Sequence, residues 1–338
     1  MTLKSIHLAW LVPVLLLRAG VSAAEVAPAA VFLHEGEVCT LDERAPMRCL
    51  TADGAAKSAP KWAPDGHRIA YVQLSGVHGM FARAVVLDEH GSVQQRMPVG
   101  AIGPGNEIYS LMTAVVGVRW LGPRRLVVEG HLNPSDTEYV MFDAETGAAV
   151  AEIGDQGLGA GFSRDGQHWA VVGGVAHFSS PAATTPTLEI DARAVLALDG
   201  GEESFATPPR WAHDASRVAL LIRRGADGAV TKLALGRAAV GDAQVLALPF
   251  HEQRVALHWC GDDPCVMRRV PDRAPRIALP GIRPLRAQWW RLHDGAWASM
   301  PAPVRAAATN AALAARRAAL AAQARRLSAV DVDLRGSP

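Results

Sequence analysis

The chain has 338 residues, and its 34 Lys and Arg against 33 Asp and Glu give a formal net charge of +1. That near-neutral balance argues against nucleic acid as a partner, because binding a phosphate backbone takes clustered, uncompensated Lys and Arg. The length suits one large all-β domain or two ordinary ones.

The chain opens with a secretory pattern. Lys4 precedes an apolar run from Leu8 to Leu17, and Val21-Ser-Ala-Ala24 supplies the small residues of a cleavage site, so residues 1–23 read as a signal peptide. The run is short of the roughly 20 apolar residues of a membrane span, and Pro13 and Arg18 interrupt it. No membrane span is expected after cleavage, which makes the protein periplasmic or secreted. Losing Lys4 and Arg18 and no acid moves the formal charge from +1 to −1. The four cysteines form two local pairs, Cys39 with Cys49 and Cys260 with Cys265. In an oxidising compartment these read as disulfides, and neither pair has the C-x₂-C spacing of a zinc site.

From residue 30 onward an internal repeat dominates. An aromatic residue followed by a turn appears as Trp62-Ala-Pro64-Asp65-Gly66, Trp120-Leu-Gly-Pro, Phe162-Ser-Arg-Asp165-Gly166, Trp211-Ala-His-Asp214, Trp259-Cys-Gly-Asp-Asp and Trp290-Arg-Leu-His-Asp-Gly. A short apolar strand follows each. The spacings of 58, 42, 49, 48 and 31 residues bracket a four-stranded blade, the unit of β-propellers. Proline presets φ, Asp bonds neighbouring backbone and Gly accepts the left-handed conformation, so the turn residues are expected to be structural. The aromatic is placed to fill the space between blades.

Residues 30–73, from "AVFLHEGEVCTLDE" to "KWAPDGHRIAYV", resemble the repeat of TolB-type (WD40-like Pro-Asp) β-propellers. The likeness is fair at Phe162 and Trp211 and weaker at Trp120, Trp259 and Trp290. It implies a six-bladed β-propeller over residues 30–300, lacking the N-terminal α/β domain of TolB itself. The motif at Trp290 leaves room for only one more strand before Pro301 and Pro303. The strands of Val31–Leu50 are therefore expected to pair with the strand after Trp290 and close the ring. Residues 303–328, rich in Ala, Leu and Arg without Gly or interior Pro, predict a helix with a narrow apolar line at Leu313, Leu320 and Leu327.

Loops joining second to third strands, and fourth strands to the next blade, share one face, and there they are long: 74–81, 100–113, 131–138 and 173–187. Irregular insertions on a repeat scaffold are where binding residues collect. The candidate ligand-binding residues are Asn106, Glu107 and Tyr109 in the longest insertion, with His78, His131 and His177 from three successive blades. The expectation is a non-catalytic envelope protein that binds a protein or peptide on this face and needs no cofactor. Imidazoles from adjacent blades could alternatively converge on a metal, as in some propeller lyases acting on acidic sugars, giving a metal-assisted lyase or hydrolase acting on carbohydrate. No nucleophile elbow is present, because Asp165 stands where Gly161-Phe-Ser163 would need its second glycine.

Overall fold

A strand packed on both faces must be apolar at successive positions, and several second strands of the repeat read that way. In the computed structural model, which describes residues 29–43, 45–75, 81–100, 112–133, 136–155, 158–173, 185–225, 228–271, 285–303, 311–327 and 329–335, Ile69, Ala70, Tyr71 and Val72 are all buried. Leu220, Leu221 and Ile222 are too. Side chains alternate across a strand, so such a run feeds two different cores at once.

The described strands form six antiparallel sheets. Sheet I orders Val330–Leu334, Ala29–His34, Glu37–Asp42 and Arg48–Cys49; sheet II orders Ala56–Trp62, Arg68–Ser75, Phe81–Asp88 and Val93–Gly100. Sheet III runs Ala114–Leu121, Arg125–Asn133, Asp136–Asp143, Ala149–Asp155; sheet IV runs Gly161–Phe162, Trp169–Gly173, Thr187–Ile190, Arg193–Ala197. In sheet V both Glu203–Phe205 and Arg210–Trp211 pair with Arg217–Arg224, followed by Ala229–Arg237 and Asp242–Glu252. Sheet VI is Val255–Cys260, Asp263–Pro271, Leu285–His293 and Ala296–Met300.

Successive sheets stack face to face. Val31 and Leu33 of sheet I pack with Trp62, Ile69 and Tyr71 of sheet II, whose other face, Ala70 and Val72, meets Val118, Leu126 and Phe142 of sheet III. The series continues through Met141 against Val171, Leu188 against Leu220, and Leu221 against Val266. Sheets of four strands, five in sheet V, stacked in chain order fit a β-propeller.

Two expectations about the ends are corrected. Trp290 does not open a sheet; it lies in the third strand of sheet VI, opposite Val266 and Ser299. Its Asp294-Gly295 pair, both at positive φ, closes the hairpin between third and fourth strands, because an aromatic followed by Asp-Gly specifies a tight turn without specifying which one. The strands of Val31–Leu50 therefore do not pair with the strand after Trp290. Ala29–His34 pairs instead with Val330–Leu334, with Ala30 opposite Leu334 and Leu33 opposite Val330. The first strand of sheet I thus comes from the far end of the chain, and its other three strands come from the beginning.

Between them lies helix α1, Ala311–Arg326. Leu320 and Ala324 are buried on Ala30, Phe32, Cys39 and Leu41, the face of sheet I turned away from sheet II. Leu327 is half-buried and the side chain of Leu313 is outside the described residues. Arg316 grips Glu43 with both Nε and Nη2 at 2.6–2.9 Å, and His34 Nδ1 meets the carbonyl of Leu327 at 2.9 Å. Cys39 is bridged to Cys49 across sheet I, and Cys260 to Cys265 across the first turn of sheet VI. The N-terminal segment 1–23 lies outside the described residues.

Candidate functional site

The two ends of the sheets differ. At one end the connections within and between strands are turns of two to six residues; at the other, three connections, 101–113, 174–186 and 272–284, each take 13 residues. Of the loop-face candidates, His78, Asn106, Glu107, Tyr109 and His177 lie outside the described residues. His131 is exposed near the end of its strand, and its carbonyl accepts bonds from the backbone N–H and the hydroxyl of Thr113 at 2.7 and 3.0 Å. Among the described residues no three His, Cys, Asp or Glu side chains are grouped to hold a metal.

What the loop end does hold is a buried cation. The Lys57 ammonium, with no exposed side-chain surface, sits 2.9 Å from Glu37 Oε2, against Asp53 Oδ1, and 2.9 Å from the carbonyl of Ala55. Glu37 also accepts from Thr51 Oγ1 at 2.6 Å and from the Gly54 N–H at 2.7 Å. Burial works against the Glu37 charge, yet the bonds from Thr51 and Lys57 outweigh it and hold the carboxyl below its ordinary value. The bond from Lys57 does the same for Asp53. Lys57 itself is lifted, because bonds to Asp53 and Glu37 overcome its own desolvation. Nearby, burial and then the Asp53 charge push Tyr71 up to about 12. With its acceptors filled, the cluster is a clamp joining sheets I and II rather than a reactive group. The only trace of it in the sequence is the Asp53, Lys57 spacing.

The turn end carries a repeated latch. Trp120 donates its indole N–H to the Lys61 carbonyl at 3.2 Å, Trp211 to Gly161 at 3.1 Å, and Trp259 to Arg210 at 3.1 Å. Each acceptor immediately precedes the aromatic of an earlier sheet. Arginines add a second contact: Arg68 lies 5.3 Å over Trp120 and bonds the Pro123 carbonyl at 2.5 Å, while Arg217 lies 5.7 Å over Trp259 and bonds the Asp262 carbonyl. A hydrogen bond of this kind contributes about 1 kcal/mol net and a cation–π contact about 0.5–1. Phe162 has no N–H to give, and Arg119 covers it at 4.8 Å. Gly166 is required in the turn that follows: its φ is +69, and a Cβ there would stand 2.9 Å from the Leu121 carbonyl oxygen. Ser163 is buried and tied to Asp165 at 2.6 Å, inside this turn.

At Trp62 the latch is built differently. The neighbouring first strand is Val330–Leu334, and Asp333 Oδ2 accepts the backbone N–H of Trp62 at 2.8 Å. Burial holds the Asp333 carboxyl above its ordinary value, against the opposing bond from Trp62 and the charge of Lys61. Arg335 covers the indole at 4.0 Å and reaches Glu89 Oε2 at 3.3 Å. The Trp62 indole N–H and Arg335 Nε are both buried without a hydrogen-bond partner. Where sheets II–VI have a turn joining first and second strands, sheet I has Arg335 and Ala29 at the ends of two unconnected strands. Beside them opens a cavity of about 540 Å³, with Asp42, Met47, Arg48, Trp62, Glu89 and Arg335 in its wall.

The stacked antiparallel sheets and these latches fit an all-β fold of propeller type. No family model matches it, and no curated protein matches it. Among solved structures it is similar to TolB from Acinetobacter baumannii at 12% identity, covering 80% of this chain and 61% of that one, with a TM-score of 0.32. It is similar to the β-propeller domain of the Trilobed protease from Pyrococcus furiosus at 13% identity, 81% of each chain and a TM-score of 0.42. A puromycin-hydrolyzing peptidase from Mycobacterium tuberculosis is 18% identical, with 85% of this chain, 44% of that one and a TM-score of 0.40. The chain therefore spans less than two thirds of the TolB chain and under half of the peptidase. The likeness concerns the fold alone, and no residue role passes from those proteins to this chain.

Proposed function

We propose that the protein is an exported, non-catalytic six-bladed propeller that binds a protein or peptide of the cell envelope on its loop-rich face. The observation that carries this reading is the asymmetry of the two ends: uniform, latched turns at one, three 13-residue connections at the other. A scaffold rigid at one end and irregular at the other presents variable side chains without disturbing its packing. Sheet I, built from both chain ends, is the ring-closing blade in this reading. Two disulfides accord with an oxidising compartment.

The test is capture from envelope extract by the immobilised mature chain, compared with the triple replacement of Asn106, Glu107 and Tyr109 by Ala. The triple variant should lose partner recovery while its stability stays within about 0.5 kcal/mol, as for exposed loop residues. Normal recovery by that variant, together with metal-dependent turnover of an acidic polysaccharide that His78→Ala or His177→Ala abolishes, would replace the binding reading with the carbohydrate-cleaving one.

A further inference from the structure

We propose that the C-terminal strap, helix α1 together with Val330–Leu334, exchanges between two copies of this chain, each copy's strap seating on the other's sheet I. The proposal is independent of the partner-binding reading, because it concerns the chain ends and not the loop face.

The strap leaves sheet VI but is held by other sheets. Leu320 and Ala324 are buried on Ala30 and Phe32 of sheet I, and Val332 and Leu334 pack against the same cluster. Asp333 turns the other way, 3.7 Å from Lys61 Nζ and bonded to the Trp62 N–H of sheet II. Arg316 pairs with Glu43 just past the second strand of sheet I that was made from the start of the chain, and Arg335 pairs with Glu89 in a turn of sheet II. The buried core of sheet VI, by contrast, is shared with sheet V around Leu257, Val266 and Leu292, and no strap residue belongs to it. The surface that recognises the strap is therefore made by the first two sheets, while its tether starts from the sixth.

That tether is long and begins stiff. Ten residues, 301–310, separate Met300 from Ala311, and extended they reach roughly 35 Å. Pro301 and Pro303 are exposed, and a proline fixes its own φ and biases the residue before it towards extended backbone. The strap's strand pairs irregularly. Ala30 lies opposite Leu334 and Leu33 opposite Val330, but the register slips between Val31 and Leu33. Asp331 takes a φ of +54, a left-handed conformation that is costly for a residue with a Cβ. A segment recognised by sheets other than the one it is tethered to makes the same contacts on its own sheet I or on that of a second copy. The charges that guide it, Arg316 to Glu43, Arg335 to Glu89 and Asp333 to Lys61, are the same in both arrangements. Reciprocal exchange of an identical element closes as a two-fold dimer and leaves neither strap unseated.

The experiment redirects the strap by charge. Glu43→Arg, isotopically labelled, and Arg316→Glu, unlabelled, are each prepared as the mature, oxidised chain, mixed in equal amounts and read by native mass spectrometry. Within either variant the strap meets a like charge; in the mixed, strap-exchanged dimer both copies have an Arg–Glu pair. The mixed dimer should exceed the homodimers about tenfold, the gain from replacing two partly exposed like-charge contacts by two ion pairs. The double variant Glu43→Arg/Arg316→Glu repairs its own contact. With labelled wild type it should form no mixed dimer, since each exchanged strap would then meet a like charge. Monomers alone, mixed dimers and homodimers in statistical proportion, or a mixed dimer of wild type with the double variant would each overturn the proposal. Should either charge reversal impair folding, labelled and unlabelled chains carrying a photoreactive amino acid at Gln323, exposed on α1 beside Ala324, are mixed and irradiated instead. Adducts joining position 323 of one chain to Ala29–Asp42 of the other support exchange, and crosslinks confined to single chains overturn it.

Discussion

Replacing Lys57 with Met removes the one cation between Glu37 and Asp53 and leaves a side chain of similar length in its place. Breaking a buried pair ordinarily costs about 3–5 kcal/mol, because the partner charge is left without compensation. Here the Lys57 side chain is fully buried and Glu37 is 17% exposed, but Asp53 is 48% exposed and is partly rehydrated once alone. Screening of that half of the pair lowers the expected loss to about 2–4 kcal/mol. The sign with pH follows from the depressed carboxyls. Folded values below the ordinary 4.5 of Glu37 and 3.8 of Asp53 mean that their stabilisation is present above those values and is lost as pH falls through the folded ones. The penalty of Lys57→Met is therefore full near neutral pH and shrinks in acid, where protonation of Glu37 and Asp53 removes the unpaired charges. Urea unfolding of wild type and variant at about pH 7 and about pH 4 measures both points. A loss below about 1 kcal/mol at neutral pH, or an equal loss at both, would refute the clamp.

Trp120→Phe keeps the ring and deletes the N–H that reaches the Lys61 carbonyl. It should cost about 1–3 kcal/mol by urea unfolding, against about 3–5 for Trp120→Ala, and equal losses would contradict the latch. Asp333, raised by burial, contributes stability that is complete below its ordinary 3.8 and lost as pH rises through its folded value. Asp333→Asn, which can still accept the Trp62 N–H, should therefore gain stability relative to wild type between about pH 4 and about pH 7, and an unchanged difference would argue against it. Intact mass of the exported protein should rise by about 4 Da on reduction, and each bridge should contribute about 2–3 kcal/mol through its short loop. Four freely alkylated thiols in protein from the exporting compartment would contradict that.

Local chemistry was legible in the sequence. At Ala63–Gly66 the turn bond from the Gly66 N–H to the Ala63 carbonyl, 2.9 Å, follows from Pro64, Asp65 and Gly66 themselves. The same holds for the turn at Ser163–Gly166. The cysteine pairs were readable because each lies within one hairpin. Long-range choices were not. Val330-Asp-Val-Asp-Leu334 alternates correctly for a strand, but five residues behind a helix give no hint that their partner is Ala29–His34. Trp290 misled because its Asp-Gly turn is chemically equivalent to the others. The Lys57 clamp unites Glu37 and Lys57 from two strands with Asp53 from the connection between them, residues that only the stacking of sheets I and II brings together. The loop-face candidates were chosen by insertion length, which the strand boundaries retain at 101–113 and 174–186 but not at 131–138, where Arg125–Asn133 and Asp136–Asp143 leave only residues 134–135 between them, so the stretch carrying His131 is mostly strand and not a long loop.

The central claim, partner binding on the loop-rich face, is tested most directly by placing a photoreactive amino acid at position 109 and, in a second variant, at Val240 in exporting cells. Val240 is 60% exposed in the turn between the last two strands of sheet V, at the opposite end of the stack. Irradiation should yield a discrete crosslinked adduct from position 109 and none from position 240. Adducts from both positions alike, or from position 240 alone, would contradict the account.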